Sequence, residues 1–220
     1  MQEATLPGLE RLRERLAEGV PSGGGDDDSA RRQWWAALAV LQDDLLLPLG
    51  DQAGVWLASP LPALYEPALL QRLQGWIWAP AELGDLLQAG PPALLPSAPP
   101  AVQTGGFERL PLLESDGTDP LLLVITPRLQ VALALVGPLG ARRLVVRFDP
   151  ATLSEALSLI DQRLQSTDPE QARRLRRAIQ ALGPLQSDEQ LAQRFWPQLA
   201  ERLAAMAPSL TLQPLSLIHI

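Results

Sequence analysis

Residues 119–150, DPLLLVITPRLQVALALVGPLGARRLVVRFDP, decide the fold, because three apolar runs follow one another here with turn residues between them. Leu121 to Thr126 is a continuous apolar run and reads as a buried strand. Pro127 and Arg128 turn the chain, and Leu129 to Val136 reads as a second strand, although its Ala/Leu half also suits a helix. Gly137-Pro138-Leu139-Gly140 forms a hairpin-type loop, and Arg143 to Phe148 alternates as a third strand. Asp149-Pro150 then opens a helix, with a carboxylate at the cap and a proline at the first helical position, where each is favoured. The stretch predicts the sheet core of an α/β (α+β) domain, with a small mixed or antiparallel sheet, flanking helices and a C-terminal helical segment.

Downstream, Leu153, Leu157, Ile160 and Leu164 share one face of the helix opened by Pro150. Asp168-Pro169 repeats the capping device, Ala172, Leu175, Ile179 and Leu182 turn inward, and Gly183-Pro184 ends that helix. Arg173, Arg174, Arg176 and Arg177 fall on its outer side, as an anion- or partner-docking patch or as a solvated face offset by Glu170 and Asp168. Ser187 to Gln190 resembles a capping box. Pro197 kinks the next helix or begins a new one, and Trp196, Leu199, Leu203 and Met206 recur at three- and four-residue steps. That spacing is expected of a packed output helix or a dimer face, though it is too short to define a coiled coil.

Upstream, Gly54 to Ser59 reads as a buried strand, Pro67 to Leu73 as a short helix and Trp76-Ile77-Trp78 as a second strand. Such a βαβ step would bring Trp56, Trp76 and Trp78 into one neighbourhood, as a small-molecule pocket or as core filling. Residues 79–106 are rich in proline and read as a long irregular loop with one turn around Glu82 to Leu87, and Phe107 to Leu113 as an edge strand, since Pro111 forbids a central position. A helix from about Ser29 to Leu47, capped by Asp28 or Ser29, carries Trp34, Leu38, Leu41 and Leu45 at helical spacing, with Trp35 beside them. Asp43 and Asp44 lie on its exposed edge. Val20 to Asp28 reads as a flexible Gly/Asp linker, its triple glycine lacking the Gly-Lys-Ser/Thr of a phosphate loop. Leu9, Leu12 and Leu16 make the first helix amphipathic, as a surface or partner-packing element.

Composition excludes several classes of chemistry. The 220 residues carry a net charge of -7, with no excess of cations for nucleic acid or anionic membranes. Cysteine is absent, which removes thiolate metal sites, cysteine nucleophiles and disulfides. All 18 basic residues are arginine, so there is no P-loop or Schiff-base lysine. No apolar run reaches the roughly 18 to 20 residues of a membrane-spanning helix, and the expected location is cytoplasmic.

The last six residues, Leu215 to Ile220, read LSLIHI and match, codon by codon, the translation of a sequencing-library adaptor, CTG TCT CTT ATA CAC ATC. They hold the chain's single histidine, so the expected native segment has no imidazole for a catalytic base or a metal. The segment is expected to be non-catalytic and to need no cofactor of its own.

FERLPLLESDGTDPLLLVITPRLQVALALVGPLGARRLVVRFDPATLSEALSLI resembles the DICT sensory domain in its DPL lead-in, its P-x-L-x-x-AL segment and its strand ending in FDP. RRQWWAALAVLQDDLLLPLG and FWPQLAERLAAMAPSLTLQPL resemble the N-terminal region of cyanobacterial-type cytoplasmic sensor histidine kinases. The resemblance implies a signal-input domain over residues 28–207, preceded by an N-terminal helix and linker over 1–27. Residues 208–214 would begin a linker to a missing kinase core, ahead of the adaptor-like 215–220. It further implies a homodimer through downstream helices, a response regulator as partner of the intact parent, and ATP with Mg for that core alone. The phosphoacceptor histidine and ATP-lid glycines of such kinases have no counterpart here. A stand-alone protein–protein interaction module is the alternative.

Overall fold

The computed structural model describes residues 8–21, 25–60, 63–80 and 107–206. The expected turn around Glu82 to Leu87 and the adaptor-like tail lie outside the described residues. One six-stranded mixed sheet organises the chain as an α/β fold. Its strands are β1 (Gly54–Ser59), β2 (Leu73–Ala79), β3 (Phe107–Pro111), β4 (Leu121–Ile125), β5 (Gln130–Val136) and β6 (Arg143–Arg147), in the order β3-β2-β1-β4-β5-β6. The β1–α3–β2 step is parallel, with α3 spanning Pro67–Arg72, and β3 adds a parallel edge on which Pro111 costs no central ladder bond. From β1 outward, β4, β5 and β6 form an antiparallel meander. The Ala/Leu half of residues 129–136 is therefore strand, because both of its faces are covered and every position is buried.

Helices pack on both faces. On the first lie α2 (Asp27–Ala39), α3 and α6 (Glu189–Met206), with Trp34, Leu38, Leu41, Leu45, Phe195 and Leu199 in the core. On the second lie α1 (Leu9–Ala17), α4 (Pro150–Thr167) and α5 (Pro169–Ala181), with Leu9, Leu12, Leu16, Leu153, Ile160 and Leu175 buried against the sheet. Helix α1, expected as a surface or partner-packing element, is thus part of the core of its own chain.

Caps fall where short polar side chains precede the apolar stripes. Asp149 accepts from the Thr152 N–H at 2.9 Å, and Asp168 from those of Glu170 and Gln171 at 3.2 and 3.1 Å. Helix α2 is capped by Asp26, whose carboxylate accepts from the Ser29 N–H, rather than by Asp28 or Ser29. Asp27, in the supposed linker, accepts from the Gly140 N–H with both oxygens at 3.0 Å and so ties α2 to the β5–β6 loop. The helix widens into a π-helical segment, Val40–Leu46, closed by a 3-10 turn over Leu47–Leu49 and by Gly50 at φ +64, a left-handed conformation open to glycine. Buried Gln42 holds that segment to the next loop, accepting from the Tyr65 and Glu66 N–H groups at 2.9 and 3.0 Å. Asp43 and Asp44 are engaged by Arg202 of α6 at 3.0 and 2.9 Å, so the edge expected to be free is clamped to another helix.

Candidate functional site, a cleft under the strap between α5 and α6

Helices α5 and α6 lie on opposite faces of the sheet, so residues 182–188 must cross its end. They cross at the β4–β5 turn as a hydrogen-bonded strap. The Gln186 N–H donates to the Pro127 carbonyl at 2.7 Å and the Asp188 N–H to the Arg128 carbonyl at 2.9 Å. The Arg128 guanidinium donates to the Asp188 carboxylate at 2.7 Å. That same carboxylate caps α6 by accepting from the Gln190 N–H at 3.0 Å, the role the sequence had suggested for Ser187. Thr126 rigidifies the turn: its hydroxyl accepts from the Leu129 N–H at 2.9 Å and its own N–H donates to the Leu129 carbonyl at 2.8 Å.

Ser187 sits between the two backbone anchors, Gln186 and Asp188, and donates its hydroxyl to the Gln130 side-chain carbonyl. Gln130, buried at the first position of β5, spends its amide on the Thr126 carbonyl at 2.5 Å. Two cavities flank this contact and share Gln130, Pro150 and Ser187. One, of about 260 Å³, lies between β4, β5 and α4 and is walled by Leu123, Ile125, Val131, Leu153, Leu157 and Leu185. The other, of about 500 Å³, opens toward α6 and is walled by Arg128, Phe148, Asp149, Asp188, Glu189 and Gln193.

Arg128, Asp149 and Asp188 in the wall of the larger cavity are already committed to partners. The Arg128 hydrogen bond holds Asp188 below the ordinary carboxylate range, ahead of the opposing effect of burial. Burial pulls Asp149 upward, and the Thr152 hydrogen bonds with nearby Arg147 more than offset it, leaving that carboxyl low as well. Both are ionised acceptors near neutral pH, suited to holding structure rather than exchanging protons. Among the described residues no group of three or more His, Cys, Asp or Glu side chains could hold a metal ion. No nucleophile stands in contact with a base among the described residues that line the two cavities.

A family model, domain of unknown function DUF8628, matches residues 10–208. The chain belongs to this family. No curated protein and no solved structure matches it. The matched span runs from the first turn of α1 to just beyond α6 and so takes in both helical layers and the strap of this chain.

Within this DUF8628 chain the three tryptophans do not form a pocket. Trp56 pairs with Gly75 in the β1–β2 register and points into the first core, whereas Trp76 and Trp78 point into the second. All three are buried. The Trp56 indole lies flat over Gly75, so close that a β-carbon there would come within 2.3 Å of the ring, and it reaches Phe107 of β3 with ring centroids 6.2 Å apart. Trp76 donates its indole N–H to the Gln171 side chain of α5 at 2.9 Å, and Trp78 packs under the Arg163 guanidinium, 5.8 Å from the ring centroid.

Nor do the four arginines of α5 form a free cationic patch. Arg173 and Arg177 both reach Glu170, Arg174 reaches Glu108 at 2.7 Å, and Arg176 is paired with Asp161 at 2.6 Å. The hydrogen bond from Arg176 holds Asp161 below its ordinary range. Asp168, expected to offset them, is occupied as a helix cap.

On α6 the buried stripe is Leu191, Phe195 and Leu199, with Leu203 partly buried beside it. Trp196 and Met206 are about half exposed. The face expected from Trp196, Leu199, Leu203 and Met206 is therefore divided, with Leu199 in the core, Leu203 packed against its edge and the two ends toward solvent. Pro197 sits inside a single helix and does not start a second one.

Sequence reasoning missed a buried ion pair. Asp116, in a 3-10 turn at Glu114–Asp116, is bound by Arg163 of α4 through both carboxylate oxygens, and also accepts from the Leu9 and Leu113 N–H groups at 3.1 and 2.7 Å. Arg13 of α1 donates to the Asp116 backbone carbonyl from the same pocket. The available signal was two arginines inside apolar stripes: Arg13 stands four positions after Leu9 and one after Leu12, and Arg163 stands just before Leu164.

Proposed function

We propose that this DUF8628 chain is the signal-input module of a cytoplasmic two-component sensor histidine kinase, related to DICT sensory domains, with a non-catalytic role of its own. One observation carries the reading: a single dipeptide, Ser187-Asp188, both closes the cleft and begins α6. An occupant of the cleft that favours one arrangement of the strap would bias the helix that leaves the domain, as an input domain must do to drive a downstream core. Dimerisation would belong to helices beyond α6, and ATP, Mg and the response regulator to the kinase core of the parent. No described helix is long and apolar enough to cross a membrane. The test is the uninterrupted gene. A reading frame that continues past α6 into a histidine-bearing helix and an ATP-binding core supports the proposal, and in that parent Gln130→Ala is expected to alter the rate of autophosphorylation.

A stand-alone interaction module remains the second reading, and a different observation favours it. Trp35, Tyr65 and Met206, each about half exposed, line a shallow groove with Arg202. Exposed aromatic residues around an arginine are typical of partner anchors. A stop codon directly after α6, with partner capture lost in Trp35→Ala, would favour this reading over the first.

A further inference from the structure

The smaller cavity has a chemistry of its own. Its walls come from two strands, one helix and the strap, and every described side chain that lines it is neutral. Leu123, Ile125, Leu153, Leu157 and Leu185 supply the apolar surface, while Ser154 of α4 and Ser187 of the strap are the hydroxyl-bearing residues of the lining. The strap is fixed to the β4–β5 turn by the Gln186 and Asp188 backbone bonds, so the roof is held over the chamber by contacts independent of its contents. An apolar cavity of about 150 Å³ accepts benzene, so a chamber of about 260 Å³ has room for roughly ten non-hydrogen atoms.

We infer that this chamber binds an uncharged, mainly apolar small molecule carrying one hydroxyl or similar hydrogen-bonding group, its apolar body between β4, β5 and α4 and its polar end at Ser154 and Ser187. A carboxylate or ammonium of the same size is excluded by the lining. No described lining residue offers an opposite charge, and taking an unpaired ion out of water costs far more than the apolar contacts return. The Gln130 amide and the Ser187 hydroxyl hydrogen are already committed, so what is left to a ligand is the accepting oxygen of Ser187 and the hydroxyl of Ser154. The regulatory consequence rests on the input-module reading, since the ligand would touch Leu185 and Ser187 of the strap that begins α6.

The experiment uses the whole chain and a size-matched series: hexan-1-ol, hexanoate and hexylammonium at pH 7, followed by methyl and amide NMR. Hexan-1-ol is expected to move the Ile125 and Leu153 methyl signals along a saturating one-site curve, at least about tenfold tighter than either ion. Leu157→Trp, which fills the chamber, abolishes those shifts. Leu185→Ala, on the exposed strap and outside the core, weakens them several-fold while leaving the unliganded spectrum native. The inference is overturned by non-saturating shifts, by hexanoate or hexylammonium binding as well as the alcohol, or by both variants binding as the parent does. A separate readout judges the input role: if hexan-1-ol saturates the chamber while the Gln190 to Ala192 amides stay unmoved, the chamber stands and the input-module reading falls.

Discussion

Arg163 meets Asp116 across 47 positions of sequence with two parallel hydrogen bonds of 2.5 Å, and neither side chain reaches solvent. The pair sits between α1, α4 and Trp78, and the Asp116 carboxylate also takes the Leu9 N–H that begins α1. Removing one member of a buried ion pair leaves the other charge uncompensated, which costs about 3–5 kcal/mol. Asp116→Ala is therefore expected to lower the unfolding free energy by that amount in urea denaturation. The paired replacement Asp116→Leu with Arg163→Met restores only part of it, because the Leu9 and Leu113 N–H groups still lose their acceptor at about 1–3 kcal/mol each. Equal stability of the single and parent proteins would show that the pair is not buried in solution.

Gly75 is required by contact with a ring. A β-carbon there would lie 2.3 Å from the Trp56 indole. Gly75→Ala is expected to destabilise the chain by about 1–3 kcal/mol through overpacking, with a changed near-ultraviolet circular dichroism signal from the displaced indole. Trp56→Leu in the same chain should remove most of the added penalty, so the two changes are strongly non-additive. Simple additivity would place the indole elsewhere.

Acid should unfold the protein while alkali near neutrality should not. Asp161, Asp188 and Glu155 are each held low first by an arginine hydrogen bond, from Arg176, Arg128 and Arg15, and Asp149 is low despite its burial. Groups with depressed folded-state pKa values bind protons more readily when unfolded. Their contribution is present above the ordinary carboxylate range and is lost as pH falls through the folded values, below about pH 4. The only histidine is His219, so the urea midpoint is expected to be flat from about pH 6 to 8 and to fall below about pH 4. Added salt should shrink the fall, because these pairs face solvent. A midpoint that rises on acidification would contradict these assignments.

Arg202 joins α6 to the π-helical segment by contacting both Asp43 and Asp44. Arg202→Ala is expected to cost about 0.5–2 kcal/mol, above an isolated surface pair because one arginine serves two carboxylates on another element. Thermal denaturation of the variant, alongside Asp43→Asn, measures it. An unchanged melting temperature in both would mean that α6 is held by its Leu191, Phe195 and Leu199 stripe alone.

Much of this fold was legible in the sequence because local rules agree with it. The FDP corner, the Asp168-Pro169 cap, the GVWLAS strand and the edge placement of Pro111 each state their structure in a few residues, and each is found in place. The tryptophan neighbourhood was misjudged for a definite reason. Whether Trp56 shares a face with Trp76 depends on the β1–β2 register, and a one-residue offset sends a side chain through the sheet. The register aligns Trp56 with Gly75, and proximity in sequence pattern cannot supply that. The arginine patch dissolved because two of its partners, Glu108 and Asp161, lie on other elements. The strap was invisible as a site: Gln130 and Pro127 carry no recognisable motif, Ser187 was legible only as a helix start, and the three acquire a shared meaning only once α5 and α6 are placed on opposite faces.

In the proposed coupling the strap transmits the state of the cleft to α6, and the Gln130–Ser187 bond is the narrowest link. Amide hydrogen exchange at Leu191 and Ala192, compared between the parent chain and Gln130→Ala, tests it directly. Loss of one such bond, worth about 0.5–1.5 kcal/mol, is expected to speed exchange at these two amides roughly twofold to tenfold, with the β1 and β4 amides unchanged. Unaltered exchange at the start of α6 would contradict the coupling of cleft to helix.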